Sequence, residues 1–169
     1  MKKPNFLYSI WAVFNDKEKR QLENLKKKVN KALKGPYFPI HMTISAGFLG
    51  MEKELITKMK STLNKLDGFS IEIDNYGCEN AFFKSLYIKV KKNNELISQK
   101  KIIDNIFNCH TSFFSPHISL YYGHKNNSIK KKIISNLPIL KKVIKIKNLC
   151  LSCRNEKKLE WKIIETFQI

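Results

Sequence analysis

Apolar and polar residues alternate in short blocks along this chain, and the period of the alternation switches repeatedly between two and between three and four. Residues 6–14, FLYSIWAVF, read as a largely buried strand. Leu22, Leu25, Val29 and Leu33 then fall on one face of a helix, which Asp16 is placed to cap and Gly35-Pro36 to end; its lysine-rich opposite face is expected to be solvated. HMTISAGF is strand-like, and residues 51–66 predict a second amphipathic helix through Leu55, Met59, Leu63 and Leu66, stopped at Asp67-Gly68. FSIEID alternates as a half-buried strand. The second half repeats the order: a strand over 82–91, a helix over 94–107 through Leu96, Ile97, Ile103, Ile106 and Phe107, and PHISLYYG as a strand. A short helix over 128–136 capped by Ser128, a strand over 142–153, and a last strand over 158–168 folded back across RNEKK complete it.

The order β-α-β-α-β therefore occurs twice. It predicts an α/β (α+β) fold in a single domain spanning residues 1–169, with two lobes of roughly 5–75 and 82–169, each a small sheet backed by helices. At 169 residues the chain can bury most of its apolar surface around one core, with no cofactor or disulfide needed to hold it together.

The chemistry concentrates where the two halves match. The first half contains FPIHMTISAGF and the second SPHISLYYG, so a His-x-Thr and a His-x-Ser frame, each preceded by proline, recur 76 residues apart. On a strand, side chains at i and i+2 leave the same face, so His41 with Thr43, and His117 with Ser119, point one way while Met42, Ile44, Ile118 and Leu120 point into the core. If the two strands face each other, two imidazoles and two hydroxyls converge. Imidazole titrates near neutral pH, so one copy can accept a proton while the other donates one. The hydroxyls can hydrogen-bond the non-bridging oxygens of a phosphate held between them. No carboxylate lies within either frame, which argues against a two-metal phosphodiesterase site and for metal-independent chemistry. His110 and His124 sit in no such frame and are expected at the surface.

Composition adds two constraints. The net charge of +18 invites an anionic partner, nucleic acid included, yet all the basic residues except Arg20 and Arg154 are lysine, which reads as composition at least as much as a binding track. Cys78, Cys109, Cys150 and Cys153 give no zinc spacing, and the Cys150–Cys153 pair lies in a β-prone run without the turn and helix of a redox motif. They are expected to be structural thiols in a reducing compartment. The first residues mimic a short signal peptide, but polar Ser9, aromatic Tyr8 and Trp11, and the missing small-residue cleavage site favour a first strand. A cytoplasmic monomer without a membrane span is the expectation.

The pattern resembles the 2H phosphoesterases, named for two His-x-Thr/Ser motifs on two lobes, and most closely their cyclic nucleotide phosphodiesterase branch. The matching residues are Ser9-Ile10-Trp11-Ala12, Pro39-Ile40-His41-Met42-Thr43 and Pro116-His117-Ile118-Ser119-Leu120-Tyr121-Tyr122-Gly123. Ile40 is a departure, because the branch commonly places proline directly before this histidine. The resemblance implies a bilobal fold with two small antiparallel sheets facing a central cleft. It implies His41 and His117 as catalytic residues, Thr43, Ser119 and Tyr122 as phosphate contacts, and Trp11 at the cleft mouth as a candidate for stacking on a base. Strict alternation would put Tyr121 rather than Tyr122 on the histidine face, unless the strand bends before Gly123. The substrate implied is a nucleoside 2',3'-cyclic phosphate or ADP-ribose 1'',2''-cyclic phosphate. A 2',5'-linked or cyclic oligonucleotide is the second expectation, and a nucleic-acid-binding protein with a vestigial site the third.

Overall fold

The computed structural model describes residues 6–109 and 113–169. Its strands are β1 (Phe6–Val13), β2 (Met42–Phe48), β3 (Phe69–Cys78), β4 (Leu86–Lys91), β5 (His117–Tyr121), β6 (Lys141–Ile146), β7 (Asn148–Asn155) and β8 (Glu160–Gln168). The helices are α1 (Asp16–Leu33), α2 (Glu52–Lys60), α3 (Asn94–Phe107) and α4 (Asn127–Ser135). Among the described residues all pairings are antiparallel, in the order β6-β3-β4-β5-β2-β1-β7-β8. The fold is thus two four-stranded halves that meet between β5 and β2. That junction consists of the single pair Met42 and Ile118.

The halves are not contiguous in sequence, which corrects the lobe limits of 5–75 and 82–169. β3 leaves the first half to pair with β4 and β6, while β7 and β8 return to flank β1. The run expected as one strand over 142–153 breaks at Lys147 for the same reason. Ile144 and Ile146 join the apolar core at even positions, whereas on β7, buried on both faces, Leu149 and Leu151 join it at odd ones. A one-residue change of phase sends the core side chains to the other face, so a single strand cannot serve both halves and the chain crosses over instead.

The helices cover the face opposite the histidines. Met42, Ile44, Ile118 and Leu120 are fully buried there. α1 crosses to the other half, where Asn30 Nδ2 donates to the Leu120 carbonyl at 2.8 Å. α3 crosses the opposite way, and Ser45 Oγ on β2 donates to Asp104 at 2.8 Å. Each helix therefore clamps the strand of the other half that carries a histidine.

Local signals explain most element ends. Asn15, one residue before the expected Asp16, caps α1 by accepting from the Glu18 N–H at 3.0 Å. Asn126 rather than Ser128 caps α4. Lys34 takes the left-handed conformation that ends α1. Gly35 beyond it is required by packing, since a Cβ there would lie 2.7 Å from the Tyr121 ring and 2.8 Å from the Tyr122 carbonyl. α2 is shorter than its apolar pattern suggests and closes in a 3₁₀ turn over Leu63–Lys65. The expected strand over 82–91 begins only at Leu86, after a 3₁₀ turn at Phe82–Lys84.

Candidate active site

The antiparallel register through Met42 and Ile118 builds the site. Continued by one residue each way, it sets His41 across from Ser119 and Thr43 across from His117, all on the face away from Met42 and Ile118. The local two-fold passes through that one pair. It relates the spacing of the two frames: in this register each histidine falls opposite the hydroxyl residue of the other frame.

Each imidazole is held by the same bond. His41 Nδ1 lies 2.7 Å from the Pro39 carbonyl and His117 Nδ1 lies 2.8 Å from the Ser115 carbonyl, in both cases the residue two positions before it. A carbonyl only accepts, so Nδ1 carries the proton and Nε2 is left for chemistry. Ile40, the departure in the first frame, thus puts Pro39 in the orienting position that Ser115 occupies in the second.

The segments bearing these carbonyls are themselves anchored. Lys26 Nζ is buried on α1, where it donates to the Phe38 carbonyl and pairs with Glu23 at 2.9 Å; Glu23 also accepts from the Ile40 N–H at 3.1 Å. This lysine departs from the expected solvated face of α1. On the other side Lys84 bonds Ser115 Oγ at 3.0 Å and Glu79 at 2.7 Å, and Glu79 accepts from the Tyr87 hydroxyl at 2.7 Å. Lys130, also buried, donates to the Glu79 carbonyl and to Ser85 Oγ.

The surroundings separate the two imidazoles. His41 is only 4% exposed and stacks on Trp11, with ring centroids 3.6 Å apart and planes 9° from parallel. Burial pushes its pKa down to about 3; the Pro39 carbonyl opposes this, while charge on His117 and Lys26 adds to it. His117 is also lowered by burial and by the Lys84 charge, but the Ser115 and Phe83 carbonyls and the Glu79 carboxylate support its protonated form. Neither Glu79 nor another carboxylate supports protonation of His41.

Both histidines line one cavity of about 480 Å³ together with Trp11, Thr43, Tyr122 and an aromatic wall. That volume suits a nucleotide-sized ligand. Tyr122 faces the cavity and Tyr121 packs in the core, because the β4–β5 register slips by one residue between Tyr87↔Ser119 and Leu86↔Tyr121, and this bulge reverses the phase of the chain after Ser119. Burial pushes the Tyr122 phenol up to about 12, against the opposing Ser119 hydroxyl and Arg154 charge. Ser119 is 4% exposed, does not line the cavity, and donates to the Phe83 carbonyl at 3.2 Å. Trp11 has one face covered by His41 and is 2% exposed, so it floors the imidazole. His124 is exposed, and His110 lies outside the described residues.

The cavity is also lined by residues that the sequence pattern does not single out for the site: Leu7 and Ser9, which share the Trp11 face of β1, and Phe82, Phe83, Arg154 and Trp161. The period-two rule applied backwards from Trp11 would have found the first two. Arg154 and Trp161 face each other across the β7–β8 hairpin, a pairing implied once that hairpin is drawn. Phe82 and Phe83 sit on a 3₁₀ turn that no periodicity marks.

The architecture and the paired frames define a two-histidine phosphoesterase of the bilobal kind. Residues 7–169 match the family model described as cyclic phosphodiesterase-like protein, and the chain belongs to that family. Among solved structures, a phosphoesterase crystal structure is similar at 14% identity with a TM-score of 0.67, covering 98% of this chain and 99% of that one. Escherichia coli LigT complexed with 3'-AMP is similar at 13% identity and a TM-score of 0.66, over 98% of this chain and 99% of LigT. TT0787 of Thermus thermophilus follows at 14% identity and 0.62, over 96% and 97%. No curated protein matches the chain in sequence. Among the described residues no helix is long and apolar enough to cross a membrane.

Proposed function

We propose that this phosphoesterase hydrolyses a cyclic phosphate, a nucleoside 2',3'-cyclic phosphate or ADP-ribose 1'',2''-cyclic phosphate, by general acid-base catalysis at His41 and His117 without a metal ion. The observation that carries the reading is the matched pair of Nδ1–carbonyl bonds, which leaves an Nε2 on each imidazole for the same cavity. His41, which burial keeps neutral, takes the proton of the attacking water through Nε2 as the new P–O bond forms. His117, whose protonated form Glu79 and two carbonyls support, gives its Nε2 proton to the departing ribose oxygen as the ring P–O bond breaks. The product is an acyclic phosphomonoester, and the proton inventory returns when the two imidazoles exchange protons with solvent. Thr43 and Tyr122 supply hydroxyls to the non-bridging oxygens, and Ser119 holds Tyr122 and the Phe83 loop in place.

The test is a panel of purified wild type, His41→Ala and His117→Ala in EDTA against mononucleoside cyclic phosphates, ADP-ribose cyclic phosphate, and 2',5'-linked and cyclic oligonucleotides. Turnover of a small cyclic phosphate by wild type alone is the expected result. Activity equal to wild type in either variant would overturn the two-histidine reading. Strongly salt-sensitive cleavage of the oligonucleotides alone would transfer the site to a long polyanion, because several released counterions steepen salt dependence.

A further inference from the structure

We infer that Arg154 forms a second anion subsite in the same cavity, which takes a non-reacting phosphate one nucleotide step from the phosphate held by His41 and His117. The inference rests on the two-histidine reading for which phosphate reacts. Its own observations concern the far wall of the cavity.

In a chain whose cations are otherwise lysine, apart from Arg20, this wall carries an arginine. Lysine is a point charge on a flexible stem, whereas guanidinium is a planar fork that matches two phosphate oxygens at once. The surroundings of Arg154 fix such a fork. Its Cζ lies over the Phe83 ring at 4.2 Å, which sets the plane, and Glu156 pairs with Nε, which sets the rotation about it. The Nη end makes no hydrogen bond among the described residues. Lys84, the other cation lining the cavity, is committed to Glu79 and Ser115.

Position gives the spacing. Arg154 pairs with Leu7 on one side and Trp161 on the other. Leu7 is four residues from Trp11, on which His41 stacks, so the backbone of Arg154 stands ~13 Å along β1 from the catalytic end. Its long side chain then reaches over Phe83, itself packed edge-on against Tyr122 at 5.4 Å. A cyclic phosphate alone, seated at the histidines, would leave this fork unused. A nucleotide with a further phosphate would reach it, with its base or sugar against Phe83 and Trp161, whose rings lie 6.4 Å apart.

Calorimetric titration with adenosine 3'-monophosphate and adenosine 3',5'-bisphosphate tests this without turnover. Wild type is expected to bind the bisphosphate about tenfold or more tightly than the monophosphate, the worth of one charge-assisted contact. Arg154→Gln should erase that preference and Arg154→Lys should keep only part of it, with thermal melts reporting that both variants fold. Equal affinity of wild type for both ligands, or an unchanged preference in Arg154→Gln, would overturn the subsite. Turnover of adenosine 2',3'-cyclic phosphate with and without a 5'-phosphate separates the two claims. Loss of the 5'-phosphate preference in Arg154→Gln supports the subsite, whereas a wild type inert on both compounds removes the nucleoside 2',3'-cyclic phosphate as substrate while the titration still decides on Arg154.

Discussion

The His41 and His117 halves of the site are built alike and charged differently. Both imidazoles donate Nδ1–H to the carbonyl two residues back, and in both halves a lysine ties down the segment that carries it. The His41 side is a closed stack in which Trp11 covers the ring and no carboxylate helps it hold a proton. The His117 side has Glu79, Tyr87 and Lys84 around it, with Tyr87 packed edge-on to the imidazole at 5.3 Å. Duplicated geometry delivers two equivalent nitrogens; in the proposed mechanism their unequal surroundings make one the base and the other the acid. That division of labour separates a hydrolase site from a pair of identical hydrogen-bond donors.

The largest predicted effect breaks both halves equally. His41→Ala and His117→Ala should each lower kcat/KM by about 10²- to 10⁴-fold, and the double variant should lose little more than either single one, because the two act as a unit. Steady-state kinetics on the best substrate of the panel measures this, and multiplicative losses would show that the histidines act independently.

A smaller asymmetry concerns the hydroxyls. Thr43→Ala should cost about 10- to 10²-fold in kcat/KM, the worth of a hydrogen bond to an anion, and more than Ser119→Ala, since Thr43 lines the cavity and Ser119 is already engaged by Phe83. Parity between the two in the same assay would restore the symmetric arrangement that the frames alone suggest.

Next come the limbs of the pH profile. Glu79→Gln removes the anion that supports protonated His117, so the alkaline limb of kcat/KM should move to lower pH. Lys84→Gln removes an opposing cation and should move it to higher pH. The acid limb should respond less to either, since neither side chain contributes to the shift at His41. Opposite displacements of one limb are the signature; equal movement of both would remove the distinction between acid and base.

The mildest effect is on stability. Between pH 6.5 and about 3 the unfolded chain takes up a proton at His41 that the folded chain refuses, so folding weakens as pH falls through that window. Above 6.5 the contribution is constant. Denaturant melts across this range should show a flatter slope in His41→Gln than in wild type, and His117→Gln should flatten it less.

Much of this site was legible before any coordinates. The two frames identify four of the residues on the shared sheet face, because period two holds over each His-x-Thr/Ser frame, ahead of the register shifts later in both strands. Helices α1 and α3 were equally plain from their apolar faces. The interleaving of the halves was harder to read. Its trace is the change in parity of the apolar-core positions between Ile146 and Leu149, a one-residue slip that a continuous apolar run conceals. The buried Lys26 and Lys130 look like every other lysine in a lysine-rich chain, and only the carbonyls they meet distinguish them. Tyr122 reaches the cavity because a bulge after Ser119 breaks the alternation, and nothing in the run of apolar residues marks it. Arg154 was visible as an exception in composition, but its place in the cavity depends on β7 returning to β1, a long-range pairing.

The most direct test of the central claim is the pH dependence of kcat/KM for the wild type in EDTA, on a substrate whose chemical step limits the rate. Two imidazoles of opposite role predict a bell whose limbs belong to the coupled pair and whose alkaline limb lies below the ordinary histidine value of 6.5, since burial lowers His117 as well as His41. A rate that is flat across this range, or that rises on one limb only and stays high into alkaline pH, would contradict it.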